Sequence, residues 1–186
     1  MADEFINIVD DKGKSTGEVT LKSEAHRLGL FHSSVHIWFY TENGELLIQK
    51  RAASKDTFPN LWDVSVAGHI SAGESSEQAA VREIREEIGL PIAADFLKFT
   101  GVYLEQKKPR IHIIDNEFHY IYLAELTVSV DMLDIQEEEV SAIKLIAFDD
   151  FKNHLEDKYH AANYVPHDQK YYDFVINELS KVIGNK

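Results

Sequence analysis

Short apolar or β-branched runs alternate with polar turns through most of this chain, and that pattern predicts strands. Val35 to Tyr40, Glu45 to Lys50, Asp63 to Ala67, Leu97 to Glu105, His119 to Leu126 and Ala142 to Phe148 fit it. Asn43-Gly44 between the first two is a tight-turn signal. Helical spacing replaces alternation in two longer segments. From Ser76 to Ile88, Ser75 and Gln78 stand where a capping box would open a helix, and Gly89-Leu90-Pro91 would stop it. From Asp168 to Val182, with Ile183 just beyond, Tyr172, Ile176, Leu179 and Ile183 recur at helical intervals. A shorter helix is predicted near Phe151–Leu155. Ahead of these, Phe5–Val9, a polar turn and Gly17–Leu21 read as a hairpin, and Ser23 to Gly29 as a short helix. The expectation is an α/β protein: a mixed sheet between helical layers over residues 33–186, with residues 1–32 as an N-terminal extension packed on it.

Composition narrows the chemistry. The 186 residues include no cysteine, which excludes disulfides, thiolate metal sites and cysteine nucleophiles. With 19 basic and 32 acidic residues the formal charge is −13, a surface that repels a long nucleic acid on average. No apolar run approaches the roughly 20 residues needed to span a bilayer, and Met1 to Phe5 lacks a basic-then-apolar leader pattern. The expected setting is cytoplasmic, without membrane or long nucleic acid as partner, as a monomer or homodimer. A negative protein still binds small phosphates when cations mediate.

The segment Gly68 to Leu90, GHISAGESSEQAAVREIREEIGL, carries the sharpest signal. On a helix, Ala80, Val81, Ile84 and Ile88 fall on one side and Glu83, Glu86 and Glu87 on the other. Like charges at i, i+3 and i+4 destabilise a helix by about 0.2–0.5 kcal/mol per pair. A solvated acidic face is one explanation; a hard cation held by the three carboxylates is the other. Arg82, four residues before Glu86, is placed to pair with it.

The full pattern is G-x5-E-x7-R-E-I-x-E-E-x-G-L, with Gly68, Glu74, Arg82, Glu83, Ile84, Glu86, Glu87, Gly89 and Leu90 in the specified places. It resembles the Nudix box at each of them, and a weaker resemblance extends over residues 33–150. The resemblance implies a Nudix-type α/β/α sandwich and a Mg²⁺- or Mn²⁺-dependent hydrolase acting on a small diphosphate-containing molecule. It implies Glu83, Glu86 and Glu87 as metal ligands, with the Gly68 carbonyl often added, and Glu74 holding the motif together through Arg82. Glu83 is the first choice of general base, with Glu87 also counted as catalytic. A base from outside the box is the alternative, with Glu117, Glu138 and Glu139 as candidates.

The flanking QKRAASKDTFPNLWDVSVAGHISAGE resembles the isopentenyl-diphosphate isomerases and their Nudix hydrolase relatives. That branch implies Arg51 and Lys55 as diphosphate contacts, and Lys50 is a third cation beside them. It also implies a second metal site, for which His36, His69, Asp115 and Glu117 match best, with His26 or His32 to complete the set; ordinary polar strand residues are the alternative. The isomerase uses a cysteine just before its Gly-His pair, where this chain has Ala67, and Ala67 can neither donate nor accept a proton. Hydrolysis is therefore expected over isomerisation, with a non-catalytic ligand sensor as the remaining alternative. Trp38, Tyr40, Trp62, Tyr103, Tyr120 and Tyr122 are either core or a stacking face for a base. Tyr164-Val165-Pro166 is a candidate lid.

Overall fold

A computed structural model describes residues 3–184. The elements run β1 (Phe5–Val9), β2 (Ser15–Leu21), α1 (Lys22–Leu28), β3 (His32–Tyr40), β4 (Glu45–Arg51), β5 (Trp62–Asp63), β6 (Val66–His69) and α2 (Ser76–Ile88). They continue with β7 (Lys98–Arg110), β8 (Ile113–Glu125), β9 (Val140–Ala147), α3 (Phe148–Glu156), α4 (Lys158–Ala161) and α5 (Gln169–Ile183). Strands β3 to β9 form one mixed sheet in which β3 runs parallel to β8 and every other pair is antiparallel.

Alternation sorts the sheet into two apolar faces. Val35, Ile37 and Phe39 of β3, with Leu47 and Tyr122, pack against Ala79, Ala80, Ile84 and Ile88 of α2. Trp38, Leu46, Ile48, Ile121 and Leu123 face the other way, onto Phe151, Tyr171, Val175 and Leu179 of α3 and α5. The result is the expected α/β/α arrangement. The aromatic residues resolve as core: Trp38 and Tyr122 are buried, and Tyr40, Trp62, Tyr103 and Tyr120 pack beside them. The boundaries of α2 follow from its caps. Ser75 and Gln78 make the capping box, and Gly89 closes the helix at φ +66°.

Strands β3 and β4 meet at Tyr40 and Leu46, and their other partners divide the sheet. β3 pairs with β6 and β8, whereas β4 pairs with β5 and β9. The expected single strand over Asp63–Ala67 is consequently two, β5 on β4 and β6 on β3. Ser65 joins the branches, its hydroxyl accepting from the Phe39 N–H at 2.8 Å and donating to the Leu47 carbonyl at 2.5 Å. The β7–β8 hairpin is longer than the apolar pattern shows, because residues 106–116 carry mostly charged and polar side chains. The N-terminal hairpin and α1 pack onto the sheet: the Ala72 N–H donates to the Phe5 carbonyl at 2.8 Å, and the Asn116 amide to the Gly29 carbonyl at 2.7 Å. No helix among the described residues is long and apolar enough to cross a membrane.

Candidate active site

One pocket gathers residues from both sheet branches, from α2 and from the N-terminal extension. On its α2 side stand Glu83 and Glu87, buried where a helix this acidic would expose its carboxylates; Glu86 is half exposed. Val81, placed on the apolar side by the helical wheel, is only half-buried. A Cβ on Gly68 would lie 2.0 Å from Cδ of Glu83, so only glycine admits that carboxylate here. Burial pushes the Glu83 carboxyl up to about 7, against the pull of Arg82. Burial and then the neighbouring Glu83 raise Glu87 well above the carboxylate range. Glu87 accepts from the Gln49 amide at 3.1 Å and the Ala67 N–H at 3.2 Å.

Arg82 fastens the helix to the preceding loop. Its guanidinium donates to both Glu74 oxygens at 2.8 and 2.9 Å, to the His69 carbonyl at 2.9 Å, to Glu83 at 2.7 Å and to Glu86 at 3.1 Å. Such a planar fork serves several acceptors from one side chain. Gly89 is constrained by its φ of +66° and less severely by space, since a Cβ there would meet Cβ of Asp134 at 2.9 Å.

The cationic wall is Arg51 and Lys55. Arg51 donates to Asp63 and to the Thr57 carbonyl, each at 3.1 Å, and Lys55 pairs with Glu139. Lys50 is not part of it. One residue along the strand reverses the side chain, and Lys50 lies over the Trp62 ring outside the pocket. Of the candidate bases, Glu117 and Glu139 line the pocket and Glu138 is exposed. Trp38, Tyr40, Trp62, Tyr103, Tyr120 and Tyr122 do not line it. Phe58 does, with the positive φ of +49° that a bulky residue seldom adopts. Val165, between Tyr164 and Pro166 of the candidate lid, also lines the pocket and is buried.

Across the pocket, His26 of α1, His32 of β3, His69 of β6 and Glu117 of β8 bring their ligand atoms within 4.8 Å of one another. The Nε2 atoms of His26, His32 and His69 stand 3.6, 3.6 and 3.7 Å from Oε1 of Glu117. Asp115 Oδ1 is 3.9 Å from His26, and it and His69 Nε2 are buried polar atoms with no hydrogen-bond partner. Burial opposes ionisation of Glu117, but the three imidazoles outweigh it and hold its carboxyl well below the usual range. Burial and the Glu117 charge raise Asp115 to about 6. His36, expected in this set, is elsewhere. Two positions beyond Ser34 on the same strand face, its ring stacks on His119 and its Nδ1 meets the Tyr171 hydroxyl at 2.7 Å. His26 and His32 occupy the set together, the first from a helix in the extension.

Residues 30–168 match the NUDIX domain. The chain belongs to the Nudix hydrolase family. Nudix hydrolase 3 of Arabidopsis thaliana is 36% identical over 172 residues, which cover 90% of this chain. The match spans only 22% of that plant protein's length. The isopentenyl-diphosphate Delta-isomerase of Salmonella heidelberg is 30% identical over 141 residues, covering 75% of each chain. Among solved structures, DR0079 of Deinococcus radiodurans has a TM-score of 0.67 at 22% identity, covering 96% of this chain and 98% of that one, a likeness of fold.

The chemistry of the Nudix residues themselves fits a divalent cation. Two buried carboxyls, Glu83 and Glu87, face one pocket; burial raises the proton affinity of both and the Glu83 charge raises that of Glu87 further, a cost that a bound cation relieves. The orphaned Asp115 and His69 atoms make the same case for the histidine-rich set. Glu4 was missed by the sequence reading; it reaches the pocket from the extension, 3.5 Å from His69 Nδ1. Glu105 and His167 were missed too, since nothing in a single strand or a loop marks a side chain as facing its distant partner.

Proposed function

We propose that this chain hydrolyses a phosphoric anhydride bond in a small diphosphate-containing metabolite, using Mg²⁺ or Mn²⁺. The substrate is a nucleoside diphosphate derivative or a prenyl or other organic diphosphate. The observation that carries the reading is the pairing of buried Glu83 and Glu87 with Arg51 and Lys55 around one pocket.

Glu83, Glu86, Glu87 and the Gly68 carbonyl are the proposed ligands of the catalytic ion. Glu117, His26, His32, His69 and Asp115 are proposed for a second. An ion held by these residues would neutralise non-bridging phosphate oxygens and acidify water. Arg51 and Lys55 take the distal phosphate, Arg51 by its fork and Lys55 as a point charge after leaving Glu139. Glu83 accepts the proton of the attacking water. Arg82 holds Glu83 and Glu86 in place.

The isomerase-like relative gives a second reading, interconversion of prenyl diphosphates, and Ala67 speaks against it, having no proton to exchange. A panel of diphosphates incubated with Mg²⁺ and resolved by mass separates the two. Hydrolysis yields phosphate or a monophosphate, and Glu87→Gln lowers it by at least about a hundredfold. Unchanged turnover in that variant refutes the assignment.

A further inference from the structure

We propose that Glu105, His119 and His167 form a separate site for a zinc-class ion, which fastens the segment leading into α5 to the sheet. It shares no residue with the acidic set on α2 or with the histidines around Glu117, although Nδ1 of His119 stands 3.7 Å from Oε2 of Glu117, and it does not rest on the hydrolytic reading.

The sheet register builds two of the ligands. Glu105 of β7 pairs with Glu117 of β8, and Tyr103 with His119, so Glu105 and His119 are diagonal neighbours on adjacent strands. The third comes from the C-terminal segment. The Val165 N–H donates to the Trp62 carbonyl at 2.9 Å and the Tyr172 hydroxyl to the Val165 carbonyl at 2.6 Å, which brings His167 over the sheet. Oε2 of Glu105 stands 3.4 Å from His119 Nε2 and 2.8 Å from His167 Nδ1, and the three atoms lie within 4.8 Å of one another. Two ligands of one tetrahedral zinc ion are about 3.3 Å apart, given bonds of roughly 2.0–2.2 Å. The Glu105–His119 pair is already at that spacing, Glu105 and His167 would open by about half an ångström, and the remaining pair lies within 4.8 Å.

The outer atoms are already held as ligands require. Nδ1 of His119 meets the Ser34 hydroxyl at 2.7 Å. Nε2 of His167 meets Asp63 Oδ1 at 3.1 Å, and Asp63 is itself held by Arg51. Oε1 of Glu105 accepts from the Asp168 N–H at 2.7 Å and lies 2.9 Å from Lys107 Nζ, which leaves Oε2 to face the two imidazoles. Glu105 and His119 are 4% and 5% exposed, so this is not a solvated cluster. All three residues border the pocket, where water can complete the coordination. An ion here takes the place of the proton joining His167 to Glu105, and that proton leaves to solvent. Two imidazoles favour zinc over magnesium, which prefers an all-oxygen shell.

The test is a zinc count on the whole chain dialysed with Zn²⁺ in excess Mg²⁺. His167→Ala is expected to retain one equivalent fewer than the wild type, while His69→Ala keeps the equivalent assigned here. Equal zinc in the wild type and His167→Ala overturns the proposal. Anomalous scattering from wild-type crystals soaked in Zn²⁺ needs no variant. A peak bonded to Glu105, His119 and His167 supports the site, and zinc found only elsewhere overturns it. Neither readout involves turnover, so failure here and failure of the hydrolase assignment are separable.

Discussion

Gly68 and Glu83 interlock: the carboxylate of Glu83 fills the space that a side chain on residue 68 would occupy. Gly68→Ala must therefore move Glu83, or the backbone carbonyl beside it, by more than an ångström. Misplacement on this scale costs about a hundredfold in rate. Turnover of Gly68→Ala should fall by about that factor with an unchanged circular dichroism spectrum, as steady-state kinetics beside far-UV spectra will show.

Glu83 and Glu87 share a buried space in which two negative charges are costly. Glu87→Gln removes one acid and keeps the amide-sized volume. In chelator, this variant should melt at or above the wild-type temperature. Saturating Mg²⁺ should stabilise the wild type, by about 2.7 kcal/mol at a hundredfold excess over Kd, and leave the variant nearly unmoved. Calorimetric scans with and without metal measure both shifts.

Neighbouring cations should behave differently. Arg51 faces the pocket and Lys50 the Trp62 ring. Loss of a charge-assisted contact costs about 1.5–3 kcal/mol, which is about ten- to a hundredfold. Arg51→Ala should lower kcat/KM by that much, whereas Lys50→Ala should stay within about twofold, a surface effect. Parallel kinetics of the two variants check the strand's facing.

The Glu74–Arg82 pair sets a pH dependence of stability. The hydrogen bonds from Arg82 hold the Glu74 carboxyl below its ordinary value of 4.5. A depressed folded value means the contribution is complete above the unfolded value and fades as pH falls through the folded one. The melting temperature of the wild type should exceed that of Glu74→Gln at pH 7, and the gap should narrow as the pH falls below the ordinary value of 4.5. Melts of both proteins from pH 7 to pH 3 follow it.

Local patterns in the sequence carried the α2 helix, its caps and the acid-rich motif, because capping and helical spacing involve residues a few positions apart. Ser75, Gln78 and Gly89 mark the helix by chemistry that needs no distant partner. Distant register is another matter. His32, Ser34 and His36 share one strand face, and nothing in β3 tells which of them meets Glu117; the pairing of His32 with Glu117 across parallel strands decides it. His26 joins only because α1 docks beside β8. Lys50 was legible in principle, since alternation allows just one of Lys50 and Arg51 to face the pocket. The aromatic strand residues show the opposite ambiguity, as alternation names a face without saying whether solvent or a helix covers it. Glu105 and His167 meet across 62 positions of chain, beyond any local signal.

Hydrolysis at an anhydride can be read directly by running the reaction in ¹⁸O-labelled water with Mg²⁺ and weighing every product. Cleavage should place one heavy oxygen in a phosphate or monophosphate product, with incorporation lost in Glu87→Gln. Diphosphates that return unlabelled and uncleaved, or only isomerised, would contradict the account.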